Sequence, residues 1–156
     1  MTPNELQDAL VEELKEMLSD YTMRTPYSTE RKAVSVYKQS LPVLETDDEE
    51  DPVPYIIVRL QGGNEKIERD SSYTVKLTII IATWDDSLDM QGYQDVMNII
   101  NRIYIRFHKS PNLKNIAQYA GEWNWAIQEE DYYPYFFGAC SMEFVIAAVR
   151  REDEFA

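Results

Sequence analysis

The chain has 156 residues, of which 44% are hydrophobic and 28% charged, the composition of one globular domain of ordinary size. Its 28 acidic residues outnumber its 15 Lys and Arg residues, and the resulting net charge of −13 disfavours generic binding to the phosphate backbone of nucleic acids. No apolar run has the length of a transmembrane helix, the N-terminus has no signal-peptide pattern, and a single cysteine excludes an internal disulfide framework. We therefore expect a cytosolic single domain over residues 1–150, followed by a charged tail at 151–156.

The first predicted element is an amphipathic helix. Thr2 can cap it, Pro3 suits its first position and Glu5 completes a capping box. Apolar residues then recur at helical spacing along one stripe, and charged residues occupy the opposite face. We expect the helix to end near Asp20 and to cover one face of a sheet.

A strand is predicted over Lys32–Gln39, and an acidic segment follows it. The segment reads LETDDEEDPVP over Leu44–Pro54, and its carboxylates are Glu45, Asp47, Asp48, Glu49, Glu50 and Asp51. Like charges at this density resist compaction, and the two prolines prevent regular strand pairing, so we predict an exposed loop. A carboxylate cluster can also bind calcium, but the spacing and central glycine of an EF-hand loop are absent.

The next two strands, Tyr55–Leu60 and Tyr73–Trp84, are predicted to form one long antiparallel hairpin. Apolar and polar residues alternate through the first half of Tyr73–Trp84, the pattern of a half-buried strand. The connection Gln61–Ser72 is polar, and its glycine pair supplies turn geometry. The connection is longer than a tight hairpin needs, which indicates a use in contacts. Its first residues are Gln61, Gly62, Gly63, Asn64, Glu65 and Lys66.

The remainder of the chain predicts a second amphipathic helix over Gly92–Phe107 and two further strands. The strands are Glu122–Gln128 and Tyr135–Val149, and Gly138 inside the latter indicates a bulge or a close backbone approach. The order of helix, strands, helix and strands predicts an α+β fold. We expect a mostly antiparallel sheet of four to five strands with two main helices packed on it.

Residues with catalytic chemistry are few and lack motifs. Cys140 lies in an apolar strand, where a buried structural thiol is expected, and His108 is explained by its position at a helix C-terminus. We predict no catalytic residue, no metal ligand and no cofactor. The densest aromatic cluster is either a sheet core or a contact surface, and it comprises Trp123, Trp125, Tyr132, Tyr133, Tyr135, Phe136 and Phe137.

Four stretches carry a family resemblance. They read PYIIVRLQGG, YTVKLTIIIATWDDS, GYQDVMNIINRIYIRF and FFGACSMEFVIAAV, and they fall within residues 54–150. The chain resembles the tail terminator (tail completion) proteins of long-tailed bacteriophages and prophages. The most specific stretch is IIIATWDDS followed by GYQDVMNIINRI, a strand that ends in an acidic turn and opens into the amphipathic helix.

The resemblance implies a non-enzymatic structural protein with a small α+β fold. Such proteins assemble in the host cytoplasm as a hexameric ring on the finished tail tube, stop its polymerisation and present a surface to the head connector. The implied partners are further copies of the chain, the tail tube protein and the head–tail connector proteins, without a membrane. The implied location is the tail–neck junction of the virion, where DNA passes through the ring without specific binding.

Under this resemblance the two predicted segments acquire roles. The residues Gln61–Lys66 form the candidate oligomer interface, and the carboxylates of Glu45–Asp51 line or approach the path of the DNA, which like charge keeps from adhering. Two alternatives remain at this point. One is another head–tail joining, neck or minor tail protein, and the other is a small enzyme or regulatory binding protein of unknown substrate.

Overall fold

The N-terminal helix begins at the predicted capping box. In the structure, a computed structural model that describes residues 1–42, 51–66, 72–89 and 91–149, helix α1 spans Pro3–Met17. The hydroxyl of Thr2 accepts a hydrogen bond from the backbone N–H of Glu5, whose carboxylate accepts one from the N–H of Thr2. The helix ends at Met17 rather than near the predicted Asp20.

The remaining elements follow in chain order within the described residues. They are β1 (Thr22–Arg24), β2 (Arg31–Ala33), β3 (Ser35–Lys38), β4 (Tyr55–Glu65), β5 (Tyr73–Trp84), α2 (Gln91–Lys109), β6 (Asn112–Leu113), β7 (Ala117–Tyr119), β8 (Asn124–Ile127) and β9 (Tyr135–Ile146). The predicted strand Lys32–Gln39 is divided between two sheets, because β2 pairs with β1 whereas β3 pairs with β4. β9 ends before the predicted Val149, since its Ile146 already lies opposite Tyr73, the first residue of β5.

One curled sheet organises the chain. Its strand order is β3-β4-β5-β9-β7-β6, with β8 also paired to β9, and only the β3–β4 pair is parallel. The predicted α+β fold with two helices and a mostly antiparallel sheet is confirmed. The expected count of four to five strands is wrong, because seven strands of the described chain join this sheet. Several of them are too short to show an alternating pattern in the sequence.

Apolar side chains cover both faces of the sheet, but unequally. The main core lies between the sheet and the helices and takes alternate residues of β5, from Val75 to Ile81, together with the buried stripes of α1 and α2. A smaller cluster on the opposite face includes Tyr55, Ala82 and Trp84. The two faces are called the helix face and the outer face below.

Helix α2 crosses β9 at a glycine. A Cβ atom at Gly138 would lie 2.5 Å from Cγ1 of Val96 and 3.3 Å from the carbonyl oxygen of Ala126. The β5–β9 register runs through Gly138 without interruption, so the predicted close approach is present and the alternative of a bulge is not. This contact sets the distance between α2 and the sheet.

Several basic side chains of α2 and of the segment after it lie against carboxylates of the N-terminal segment. The shortest of these ion pairs joins Nε of Arg106 to Oε1 of Glu13 at 2.6 Å, and Arg102 pairs with Asp20 at 3.2 Å. These contacts hold α1 and α2 side by side on the helix face.

Within the described ranges, no helix has the length and apolar character needed to cross a membrane.

Candidate functional site

The candidate interface residues extend a strand instead of forming a loop. Gln61–Glu65 belong to β4, where Gly62 lies opposite Lys76 and Gly63 opposite Val75. The register shifts at Gln61, so one extra residue is accommodated as a bulge and pairing resumes beyond it. The expectation that Gln61–Glu65 form a polar connection is therefore wrong. Lys66 follows the strand, and residues 67–71 lie outside the described ones, so the tip of the hairpin stays a prediction.

Beyond Val58, the outer edge of β4 pairs with no other described strand. β3 pairs only with Tyr55–Val58, and the N–H of Leu60 donates to Oε1 of Gln39 at 2.6 Å. Leu60 N–H thus points away from β5, and the alternation of an antiparallel ladder directs the backbone groups of Gly63 and Glu65 the same way. No strand in the described part of the chain pairs with this edge.

A second open edge lies on β8. The N–H of Gln128 donates to the carbonyl oxygen of Phe137 at 3.1 Å, and therefore alternate residues of β8 bond to β9. The intervening Trp125 and Ile127 direct their N–H and C=O groups outward. Both side chains are also exposed, Trp125 to 51% and Ile127 to 36%. Among the described strands, only β9 pairs with β8.

The predicted aromatic cluster divides between core and surface. Phe136 is buried in the main core, whereas Trp125, Tyr132 and Tyr133 are exposed. The sheet-core option therefore applies to Phe136, whereas a contact role for the exposed members stays a prediction. The sequence does not distinguish Trp125 from its neighbours, because the alternation of Trp123, Trp125 and Ile127 only indicates one shared face and does not tell whether that face is covered.

The two open edges lie toward opposite sides of the sheet and carry opposite charge. Near the β4 edge are the cations Arg59, Lys66 and Lys76, with the carboxylates Glu65 and Glu143 among them. Along the chain, the only charged residues that flank β8 are acidic, since Ala117–Asp131 contains no Lys or Arg; these are Glu122, Glu129, Glu130 and Asp131. The edges are therefore complementary in charge as well as in hydrogen bonding.

Most of the candidate acidic loop falls outside the described residues, namely Glu45, Asp47, Asp48, Glu49 and Glu50, and its proximity to DNA stays a prediction. Asp51 is described, and its Oδ2 accepts a hydrogen bond from the hydroxyl of Tyr135 at 2.6 Å. This bond requires the neutral phenol and is the main reason that the pKa of Tyr135 rises to about 12. Asp51 is thus tied to the sheet.

His108 and Cys140 occupy separate structural positions. His108 is exposed at the end of α2, with Nδ1 2.8 Å from the carbonyl oxygen of Tyr104 and its ring packed against Tyr104. Cys140 is buried in β9 and faces the main core. The two side chains are not hydrogen-bonded to each other. Within the residues that the structure describes, no group of His, Cys, Asp and Glu could hold a metal ion.

The Cys140 thiol is expected to be inert in the native protein. Burial raises its pKa to about 12, so the reactive thiolate is scarce at neutral pH and reagents cannot reach the sulfur. A colorimetric thiol reagent should therefore react with Cys140 only in urea-unfolded protein. Rapid stoichiometric labelling of native protein would contradict this placement.

The acidic turn after β5, which contains Asp85 and Asp86, lies beside the start of α2 and contacts Arg24 of β1. This contact is called the Arg24 joint. Asp85 is buried at the end of β5, accepts a hydrogen bond from the N–H of Ser87 and lies 3.6 Å from Nη1 of Arg24. Arg24 also pairs with Asp86 at 2.6 Å and lies over the ring of Trp84. These contacts connect the β1–β2 pair to the end of β5.

A second buried carboxylate, Asp95, belongs to the same region. It is 8% exposed and accepts a hydrogen bond from the Tyr21 hydroxyl at 2.7 Å. Burial raises its pKa, and this effect exceeds the opposing hydrogen bond from Tyr21 and attraction to Arg31. The folded protein therefore binds this proton more tightly than the unfolded chain does.

Asp95→Asn is expected to change how stability depends on pH. The contribution of Asp95 is fully present below its unfolded pKa of about 4 and is lost as pH rises through its higher folded pKa. The asparagine oxygen can still accept from Tyr21, so the variant should gain stability relative to wild type as pH rises through this window. Urea unfolding of both proteins at pH 4, 5, 6 and 7 measures the difference. A difference that does not change with pH would contradict the shift.

Comparison with known proteins shows that this chain shares its fold with solved structures. No protein-family model matches the chain, and no curated protein matches it. Solved structures do show similarity, in 32 chains. One of them, a protein whose name gives no function, is 13% identical with a TM-score of 0.52, over 93% of this chain and 98% of its own. At that identity the likeness shows a shared fold and nothing about activity.

Proposed function

We propose that the chain is a tail terminator protein of a long-tailed bacteriophage or prophage, which caps the finished tail tube as a homo-oligomeric ring. The ring stops tube polymerisation and forms the joint to the head connector. The observation that carries the proposal is a pair of strand edges, at Gln61–Glu65 and Asn124–Ile127, that lie on opposite sides of one sheet and pair with no other strand of the described residues. A contact between two different surfaces of the same chain is head-to-tail, and it produces a ring when its rotation closes.

Two further features support the proposal. The fold is the small α+β domain that the sequence resemblance implies. The net charge of −13 suits a channel through which DNA moves without adhering, because like charges repel and the repulsion does not depend on the DNA sequence. A homohexamer bound to the tail tube protein on one side and the connector on the other is the assembly that we propose.

The test is electron microscopy of phage particles that assemble without this protein. We expect tails of uncontrolled length that lack heads, and recovery of normal particles when purified protein is added to the deficient lysate. Rings with six subunits should be visible on the recovered tube ends. Tails of normal length without heads would contradict a terminator and favour another head–tail joining protein. Fully infectious particles would contradict a structural role and favour the enzyme or regulatory alternative.

A further inference from the structure

We propose that neighbouring copies join by strand addition, with the distal half of β4 of one copy pairing antiparallel with β8 of the next, and with Gly63 opposite Trp125. This proposal rests on the ring of the proposed function. The strand that pairs with the open β4 edge therefore belongs to a second copy of this chain. Charge favours a second copy as the partner, because the cations near β4 would lie against the carboxylates that flank β8 in the neighbouring copy.

Strand direction is consistent with this pairing. Each of the neighbouring pairs β4–β5, β5–β9 and β9–β8 is antiparallel, so β8 runs opposite to β4. A ring rotation that keeps the strands of successive copies pointing the same way therefore places β4 antiparallel to the next β8. Antiparallel ladders are slightly more stable per residue than parallel ones.

The two edges lie at different heights along the sheet. Trp125 lies opposite Cys140 of β9, which in turn lies opposite Ile79 of β5. Gly63 lies opposite Val75, which is four residues earlier in β5. The pairing therefore needs a stagger of about four residues between copies, which is the kind of offset that tilted strands require when a sheet closes on itself. An untilted ring would not bring these edges together.

Backbone and side-chain geometry both favour the register with Gly63 opposite Trp125. Each of these residues directs its N–H and C=O away from its own sheet, so the two can exchange a pair of hydrogen bonds. Both belong to the helix face, since Gly63 lies opposite Val75 and Trp125 opposite Cys140. The exposed indole would then lie across a glycine and against the ring of Tyr73, whose Cε1 lies 3.2 Å from the position of a Cβ atom at Gly63.

The same register accounts for the charges near one end of the contact. Three residues beyond Gly63 is Lys66, and three residues before Trp125 is Glu122, so these exposed side chains come opposite each other. Within the described residues, neither forms an ion pair in its own chain. Two positions inward, directly beside Gly63 and Trp125, Asn64 comes opposite Asn124, and both are exposed residues on the outer face.

Disulfide trapping tests the register directly. Asn64→Cys combined with Asn124→Cys places two thiols on directly opposed strand positions, within the reach of a disulfide. Oxidation of the full-length protein with copper phenanthroline should give a ladder of covalent oligomers larger than a dimer. The matched control is Asn64→Cys with Asn101→Cys, because Asn101 is equally exposed but lies on α2. A comparable ladder from the control, or none from either variant, would overturn the proposal.

Charge reversal tests the predicted ion pair. Lys66→Glu and Glu122→Lys, each in the cysteine-pair background, should slow cross-linking about two- to fivefold, the effect of an exposed ion pair, and the double reversal should restore the rate. Glu12→Lys is the control, since Glu12 is exposed on α1 and belongs to neither of the two strands. Failure of the double reversal to restore cross-linking would overturn the register.

Electron microscopy of wild-type protein on tail tubes separates the failure of this contact from failure of the proposed function. Six-membered rings without a cross-linked ladder would overturn the β4–β8 contact and leave the terminator proposal standing. A ladder in a protein that never associates with tail tubes would support the contact and overturn the terminator role. Neither rings nor a ladder would overturn both.

Discussion

Replacing Gly138 with valine is expected to lower the free energy of unfolding by about 3 kcal/mol. The first added carbon would already lie 2.5 Å from Cγ1 of Val96, and the branched methyl groups would press further into α2. The valine cannot avoid this contact by moving toward β8, because the carbonyl oxygen of Ala126 lies 3.3 Å from the Cβ position on that side. Either α2 must shift away from β9, which opens the main core, or the strand must bend. Urea unfolding followed by tryptophan fluorescence measures the loss.

The control for this substitution is Gly62→Ala on the open part of β4. A Cβ atom at Gly62 would have no neighbour within 4 Å, so its effect on stability should stay within about 0.5 kcal/mol. Gly138→Ala should fall between the two. If Gly138→Val were as stable as Gly62→Ala, α2 would not be packed against β9 as described.

Replacing Arg24 with methionine is expected to lower the free energy of unfolding by about 3 kcal/mol. The substitution keeps a long apolar side chain but leaves the carboxylate of Asp85, which is 5% exposed, without its cation. It also removes the contact between the guanidinium and the Trp84 ring. The loss should shrink when Asp85→Asn is added, because the double variant no longer leaves the buried charge of Asp85 without its cation.

Asp86→Asn is the matched control for the Arg24 joint. Asp86 bonds to the same guanidinium at 2.6 Å, but its side chain is half exposed, so water replaces most of the lost attraction. We expect a change below about 1 kcal/mol. An equal loss in Asp86→Asn and Arg24→Met would mean that the exposed pair, and not the buried carboxylate, stabilises the joint.

Local patterns allowed the helices and the central strand to be predicted from the sequence. The capping box at Thr2 and Glu5 involves residues that are neighbours along the chain, and the stripes of α1 and α2 follow from helical spacing. Alternation identified β5 for the same reason. At Gly138 the sequence indicated either a bulge or a close approach, because a glycine weakens an apolar strand, and the packing of α2 on β9 decided between them.

Tertiary structure decided the extent of the strands and which edges stay open. Gln61–Glu65 is polar and rich in glycine, and it becomes a strand because β5 continues alongside it. The short strands β7 and β8 form because β9 offers unpaired backbone groups along its length.

The residues Asn124–Ile127 do not themselves indicate that β9 pairs with one edge of β8 and leaves its other edge open. Strand pairing is a contact between distant segments, so the sequence alone determined the helices and the alternating strands of this protein. The fold determined where the two open edges lie.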